Sequence, residues 1–406
     1  MKKCLIVLTL VLSVFAGILG CSNSKTKIPK LYFEGNMEAM EIKSDERMVA
    51  FTYEDGKNQL SGNAMIKVQG SSSLQYPKKN YTVNFYTDGR YAEKLAVDVG
   101  WGAQSKYCLK ANWIDKTHAR NVVTAKLAGQ MQEAYGLLND TPNHGAVDGF
   151  PVEIYINGAF HGLYTFNIPK DAWQFGMDKD NPDHIVICGE DWMDAVVFKA
   201  MPDYEAWSVE VGEDNERTME KMNRLFDFVL NSSDEEFRNN FNDYLNLDSA
   251  LNYYIMCDLA YLRDNLGKNM LLVTYDAEQW YLSLYDLDTS WGAYWNGSKL
   301  YSYEKDTVDM DRSNLFVRME KNFGKELAQR YFELRENILS NEHILQEFRE
   351  FTAQIPEKTL EMERSRWEGA VEGADSLPGF DLEQIEEYLN TVTPRLEEKY
   401  QQMLTK

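Results

Sequence analysis

Four side chains in the second half of the chain have the types and the order that metal-dependent phosphoryl transfer requires. Asp264 and Asn269 precede one apolar, aromatic-rich segment, and Asp286 and Asp288 follow a second such segment. Phosphoryl transfer needs a base that orients the attacking hydroxyl, and it needs hard oxygen ligands that hold Mg²⁺ on the phosphates. A site that brought these four side chains together would supply both.

The spacing of Asp264 and Asn269 equals that in the R-D-x-x-x-x-N catalytic loop of protein kinases, where the Asp is the base and the Asn binds a metal ion. Arg263 precedes Asp264, as this pattern requires. In those enzymes a metal-binding Asp follows the next hairpin. A D-x-D pair alone decides nothing, because the chain contains three of them: Asp178/Asp180, Asp286/Asp288 and Asp309/Asp311.

The two apolar segments predict a β-hairpin that would position this site. Residues 270–275 and 280–284 are the strand-like runs, and the polar residues 276–279 join them. In an antiparallel pair, the residue that enters the first strand lies beside the residue that leaves the second. The hairpin therefore predicts that the four candidate side chains converge at one of its ends.

The remaining sequence predicts an α+β protein with a β-rich N-terminal half at residues 31–215 and a helix-rich C-terminal half at residues 216–406. Apolar residues that alternate with polar ones predict strands in the first half, and Asn157-Gly158 between two such runs predicts a hairpin turn. In the second half, apolar residues recur at the spacing of one helical face. Pro394 is expected to kink or split the last helix.

The N-terminal segment resembles a bacterial lipoprotein signal peptide with its lipobox. Two lysines precede an apolar run at residues 4–19, and Cys21 follows. Removal of residues 1–20 would leave Cys21 as a lipidated N-terminus, followed by a polar tether at residues 21–30. This predicts an extracytoplasmic protein of the cell envelope that contacts the membrane through its lipid anchor only. A plain secretory signal and a short membrane anchor are the alternatives.

The chain is strongly acidic, with 42 Lys and Arg residues against 64 Asp and Glu residues, a formal net charge of -22. This charge argues against nucleic acid and anionic lipid as partners, and it favours a basic, Ser-rich protein substrate. Beyond the signal segment, Cys108, Cys188 and Cys257 are widely spaced and form no C-x-x-C motif. They are therefore expected to be buried free thiols rather than disulfides or zinc ligands.

Several segments together resemble the CotH kinase family, atypical secreted protein kinases named for a spore-coat protein. The resemblance spans roughly residues 60 to 400. The matching segments are residues 70–73, 77–81, 109–115, 120–121, 152–164, 234–237, 247–249, 264–269 and 286–292.

This resemblance implies a divergent bilobal protein-kinase fold, which agrees with the order of strands and then helices. It also implies that Asp264 is the catalytic base and that Asn269 is a metal ligand. Asp286 would be the main metal-binding residue, with Asp288 as its rival for that role.

The cofactors implied by the resemblance are ATP and Mg²⁺ or Mn²⁺. The phosphate-facing element would be the small-residue turn at residues 70–73, which contains Ser72, together with the basic pair that follows it. Lys79 is the preferred residue of that pair over Lys78, and Lys199 is the reserve candidate. No G-x-G-x-x-G or G-x-x-x-x-G-K-S/T loop is present, which excludes conventional nucleotide-binding loops.

Three functions remain open from the sequence. The first is a lipid-anchored atypical kinase that transfers phosphate from Mg-ATP to Ser or Thr of envelope or surface proteins. The second is a non-catalytic surface binding or assembly protein with the same fold, and the third is a cell-surface glycan-active enzyme that uses paired carboxylates. For Asp115 and Arg120, a helix cap and a salt bridge fit as well as a site role.

Overall fold

The computed structural model describes residues 27–370 and 382–405. The predicted signal peptide, Cys21 and the first part of the tether lie outside these residues. None of the described helices combines the length and the apolar composition that are needed to cross a bilayer. The three cysteines of the described part are buried, as expected, and none of them is in a disulfide.

Thirteen strands are present in the described residues. They are β1 Lys30–Glu34, β2 Glu46–Glu54, β3 Gln59–Gln69, β4 Asn80–Tyr86, β5 Val97–Asp98, β6 Ala103–Gln104, β7 Lys106–Lys110, β8 Gly149–Ile156, β9 Ala159–Asn167, β10 Ile185–Gly189, β11 Trp207–Val211, β12 Met270–Thr274 and β13 Tyr281–Leu284.

Seven of these strands form a closed barrel in the order β1-β2-β3-β4-β7-β9-β8. All neighbours are antiparallel except β1 and β8, whose parallel pairing closes the barrel. The alternating residues Ala64, Ile66 and Val68 point into its apolar core, as their period of two predicts. Closure leaves no free edge among the seven strands.

The turn between β8 and β9 confirms the predicted hairpin. Asn157 and Gly158 are the two loop residues, with φ of 49° and 77°. Positive φ at both central positions matches the right-handed twist of the flanking strands, and Asn-Gly accommodates it at little cost.

A second sheet has the order β11-β10-β12-β13, and all its neighbours are antiparallel. Its strands β12 and β13 are the predicted hairpin of the second half, which is thereby confirmed. The other two strands come from the first half, so this sheet crosses the domain boundary predicted at residue 215.

The described residues also form eight α-helices. They are α1 Arg120–Ala134, α2 Glu216–Asn231, α3 Asp234–Asn240, α4 Leu247–Leu259, α5 Asn314–Arg335, α6 Asn341–Thr352, α7 Glu357–Trp367 and α8 Leu382–Thr405. Helix α8 continues through Pro394, so the predicted split does not occur.

Helix α4 is the centre of the helical part. It is buried on nearly every side and contacts α1, α5, α8 and β13. The hydroxyl of Ser249 on α4 accepts from Leu282 N at 2.9 Å and bonds Leu282 O at 3.0 Å, which fastens β13 to the helix. The hairpin therefore rests on a rigid support.

The fold is mixed α+β, as the sequence predicts, with strands dominant before residue 215 and helices after it. Two features depart from that order, because α1 packs against α4 and α6, and the hairpin joins the second sheet. The closed seven-stranded barrel was not predicted.

Candidate active site

The β12–β13 hairpin brings the two halves of the candidate site to one end. Met270, the first residue of β12, pairs with Leu284, the last residue of β13. Asn269 therefore lies beside Tyr285 and close to Asp286. The predicted convergence is confirmed for this end of the hairpin.

Hydrogen bonds from three directions fix the backbone around these residues. Asn269 N donates to Gly189 O at 2.8 Å, which ties the loop before β12 to β10. Asn265 Nδ2 donates to Tyr285 O at 2.8 Å and so joins the two candidate segments directly. Leu287 N donates to Asn121 Oδ1 at 2.9 Å, which adds a contact from α1.

Asn269 and Asp286 both adopt a left-handed backbone conformation, with φ of 64° and 58°. Asn and Asp tolerate this region better than other residues with a Cβ. Such conformations persist when the surrounding structure fixes them, and they concentrate at functional sites. The two residues thus combine a ligand type with a backbone requirement.

Asp115 and Arg120 lie behind the loop that carries Asp288 and do not line the cavity of the site. Both are buried, their ion pair measures 2.6 Å, and Asp115 Oδ2 accepts from Arg120 N at 2.8 Å at the start of α1. Arg120 Nε donates to Ser290 O at 3.1 Å, in the loop that follows Asp288. The helix-cap and salt-bridge interpretation fits them, and they position the Asp288 loop.

A cavity of about 870 Å³ lies where the barrel faces the hairpin end. Its lining contains all four candidate side chains of the hairpin and, on the barrel side, the turn that carries Ser72. Six lysines also line it: Lys43, Lys67, Lys106, Lys110, Lys170 and Lys268. The acidic cluster and the lysines therefore share one space.

The three carboxylates of the site lack protein partners among the described residues. Asp264, Asp286 and Asp288 form no ion pair and accept no side-chain hydrogen bond from the described residues. Burial raises the pKa of Asp288 to about 8, and the charge of Asp286 adds to that effect. Burial also raises the pKa of Asp264, although Lys268 opposes this.

Carboxylates that line one cavity in this way are suitable ligands for a divalent metal ion. Carboxylate and amide oxygens are the ligands that Mg²⁺ and Mn²⁺ take in proteins, and the ion's charge offsets the mutual repulsion. Asp286, Asp288 and Asn269 supply such oxygens at the edge of the cavity.

The predicted phosphate-facing lysines lie elsewhere. Lys78 is fully buried, and its Nζ donates to Ala111 O at 2.9 Å and pairs with Glu363 Oε1 at 2.6 Å. Lys79 Nζ donates to two backbone carbonyls of the preceding turn at 2.8 Å and pairs with Glu41. Lys199 is exposed. None of the three lines the 870 Å³ cavity, whereas Lys78 lines a smaller neighbouring cavity together with Asp286 and Asp288. The cofactor-binding role of the three lysines stays a prediction.

Lys110 and Lys170 line the cavity opposite the candidate carboxylates, where the sequence predicts Lys79. Lys110 ends strand β7, and its Nζ donates to the Tyr285 hydroxyl at 3.3 Å, next to Asp286. Burial acts to lower the pKa of Lys110, but Tyr285 and Asp286 outweigh it and the pKa is raised. Lys170 Nζ pairs with Glu210 at 2.7 Å and lies over the Tyr285 ring.

A signal for Lys110 was present in the sequence. It stands in residues 109–115, one of the family-like segments, at the end of β7.

The turn at residues 70–73 covers the cavity from the barrel side. Gly70 has φ of 131°, and a Cβ there would meet Ser73 Oγ at 2.2 Å. Only glycine fits this conformation and this close approach. The turn is followed by the 3₁₀ segment that begins at Ser72, whose side chain lines the cavity.

Comparison with known families matches residues 66–398 to the sequence model described as CotH kinase protein. This match covers most of the chain and includes every candidate residue of the hairpin site. No curated protein matches the chain.

Proposed function

The chain belongs to the CotH kinase family, and on that premise we propose that it transfers the γ-phosphoryl group of Mg-ATP to a Ser or Thr hydroxyl of a protein. The barrel and the helical part would be the two lobes of a divergent kinase, with the nucleotide in the cavity between them. Mn²⁺ is the alternative metal ion.

One observation carries the proposal. Three carboxylates without ion-pair partners among the described residues and one amide share a single cavity with lysines, among them the partly buried Lys110 and Lys170. Acidic oxygens on one side and cations on the other are what a metal-bound triphosphate requires. This pairing also favours a kinase over a glycoside hydrolase, whose two catalytic carboxylates have no need of the lysines.

The proposed roles follow from position and chemistry. Asp264 accepts the proton of the acceptor hydroxyl. The oxygen of that hydroxyl forms a bond to the γ-phosphorus, while the bond between the γ-phosphorus and the β–γ bridging oxygen breaks and ADP leaves. Lys110 and Lys170 bind the phosphates. Asp286 and Asn269 hold the metal ion, with Asp288 beside them, and the bound ion supplies charge stabilisation.

We also propose that the protein acts outside the cytoplasm, held at the cell envelope by a lipid on Cys21. Its net charge favours an acceptor protein that is basic as a whole. A Cys21→Ser protein should leave the membrane fraction and keep its activity, because the tether separates the lipid from the fold. Retention of that variant in membranes would contradict the lipid anchor.

The function is tested by incubating residues 22–406 with labelled ATP and Mg²⁺ or Mn²⁺, with and without basic Ser-rich acceptor proteins. Metal-dependent transfer of label to the acceptor supports the kinase. Nucleotide binding without transfer supports the non-catalytic assembly protein. Indifference to ATP together with binding of glycans would contradict the proposal.

A further inference from the structure

A second cavity of about 430 Å³ opens beside the first and shares Asp264 with it. The shared boundary also contains Ser72, Lys268, Thr289 and Trp295. If the nucleotide occupies the larger cavity, an acceptor hydroxyl reaches Asp264 from the smaller one. The side chains that line the smaller cavity and not the larger one are therefore those that meet the residues flanking the acceptor.

The charge of this second cavity is opposite to that of the whole molecule. Arg263, Lys268 and Arg312 line it, and Asp264 is the one carboxylate among its described lining residues. None of the three cations forms an ion pair with a described residue. In a chain with 22 more acidic than basic residues, three neighbouring cations that share the single carboxylate of Asp264 leave an excess of positive charge, which points to a negatively charged ligand.

Aromatic side chains form the rest of this surface. The Arg312 guanidinium lies 5.0 Å above the Trp192 ring, and Trp295 and Tyr294 are 53% and 38% exposed at the rim. A tight turn holds the rim, since Tyr294 N donates to Ser298 O at 2.8 Å. Exposed aromatics on a fixed backbone are typical of binding surfaces.

We propose that this cavity binds the acceptor segment and selects a Ser or Thr flanked by carboxylate side chains and an apolar or aromatic residue. The proposal rests on the kinase function and adds the local sequence that its site accepts. Arg263 and Arg312 would pair with the carboxylates, and Trp192 and Trp295 would contact the apolar residue. Lys268 and Trp295 line both cavities, so both side chains are available to the nucleotide as well, whereas Arg263, Arg312 and Trp192 line the smaller cavity alone.

The whole-molecule charge and the local charge act over different distances. At physiological salt, interactions between exposed charges are screened beyond about 8 Å. The field of the acidic body then steers a basic protein only weakly, whereas direct ion pairs within the cavity are screened much less. An acceptor protein that is basic overall but has acidic residues next to its Ser complements both the acidic molecule and the basic cavity.

The test uses three labelled peptides that differ only in the residues flanking one Ser, which are Glu, Lys or Gln, each with one Trp. Binding is measured by fluorescence anisotropy at 0.15 M salt without ATP. We expect the Glu peptide to bind at least tenfold more tightly than the Lys peptide. The Arg263→Glu/Arg312→Glu protein should reverse that order, whereas Arg349→Glu, at an exposed position on α6, should not.

Equal binding of the Glu and Lys peptides, or tighter binding of the Lys peptide, would overturn the proposal. So would competition by a neutral oligosaccharide that depends on Trp295 and not on Arg263 or Arg312, because the surface would then be a glycan site. Binding is measured separately from transfer, so the two proposals fail differently. A Glu peptide that binds as expected and is never phosphorylated supports this surface and contradicts the kinase.

Discussion

Substitutions of Asp264 and Asp286 should have different effects if one residue is the base and the other is a metal ligand. Removing a base slows transfer by about 10²–10⁴-fold while nucleotide and metal still bind. Removing a ligand weakens binding of the metal–nucleotide complex itself. We therefore expect Asp264→Asn to keep thermal stabilisation by Mg-ATP and to lose transfer, whereas Asp286→Asn loses both. Asn retains the left-handed conformation of residue 286.

Asp288→Asn decides which Asp of the pair is the ligand. If Asp288→Asn weakens Mg-ATP binding less than Asp286→Asn does, Asp286 is the metal ligand. If Asp288→Asn weakens Mg-ATP binding more, Asp288 is the ligand. If Asp264→Asn and Asp286→Asn both bind Mg-ATP and transfer phosphate like the parent, the assignment is wrong and the family resemblance is one of fold only.

Lys110→Met should weaken Mg-ATP binding by about 10- to 100-fold, because a charge-assisted hydrogen bond contributes about 1.5–3 kcal/mol. Isothermal titration calorimetry measures the change. Lys199→Met removes the same charge from an exposed position outside the cavity and should bind like the parent. Equal affinities of the two variants would contradict the role of Lys110.

The acidic half of the site could be predicted from the sequence and the basic half could not. Asp264, Asn269 and Asp286 belong to short segments whose convergence needs only the pairing of one local hairpin. Lys110 ends one barrel strand and Lys170 follows another. A strand pattern does not say which long side chain reaches the cavity. Lys78 and Lys79 resembled a phosphate site in composition, yet their Nζ atoms bind backbone carbonyls.

At the scale of elements, the carboxylate of Glu363 links α7 to the barrel. Glu363 Oε1 pairs with Lys78 Nζ at 2.6 Å, and Glu363 Oε2 accepts from Leu163 N, in β9, at 2.7 Å. Glu363→Gln would leave the buried Lys78 charge without its partner. We expect a loss of about 3 kcal/mol in the free energy of unfolding, measured by urea denaturation.

Glu361→Gln is the matched control for this change, since Glu361 is exposed on the same helix and should leave stability unchanged. The double variant Lys78→Met/Glu363→Leu should recover much of the loss, because it leaves no unpaired charge. A Glu363→Gln protein as stable as the parent would show that α7 is held by its other contacts alone.

Elements formed by neighbouring segments were predictable, and those formed across the chain were not. The Asn157-Gly158 turn and the β12–β13 hairpin each have a local sequence signal. The parallel pairing of β1 with β8 joins residues more than 100 positions apart, and no pattern within either strand indicates it. Barrel closure was therefore missed, although most of its strands were recognised.

The whole molecule should lose stability in acid through two histidines near Lys78. Burial, together with the charge of Lys78, lowers the pKa of both His118 and His161 from 6.5 to about 4. The unfolded state therefore binds these protons first as the pH falls. Stability is complete above pH 6.5 and declines towards pH 4, by at most about 3 kcal/mol for each histidine.

Urea denaturation from pH 7.5 to pH 4.5 measures this decline for the parent and for His161→Gln and His118→Asn. Asn suits residue 118, whose φ is 55°. Each variant should show a shallower slope below pH 6.5 than the parent, which isolates the histidines from the carboxylates. Slopes identical to that of the parent would contradict the neutral state of these side chains.

The closed barrel also determines where a soluble recombinant fragment can begin. The family match starts at residue 66, inside β3, so a fragment cut to residues 66–398 lacks β1, β2 and half of β3. The open barrel would expose two unpaired edges and an apolar interior, which promotes aggregation. The same cut removes Tyr400, whose hydroxyl bonds the buried Asp258. We expect that fragment in the insoluble fraction on expression, and residues 27–406 in the soluble one.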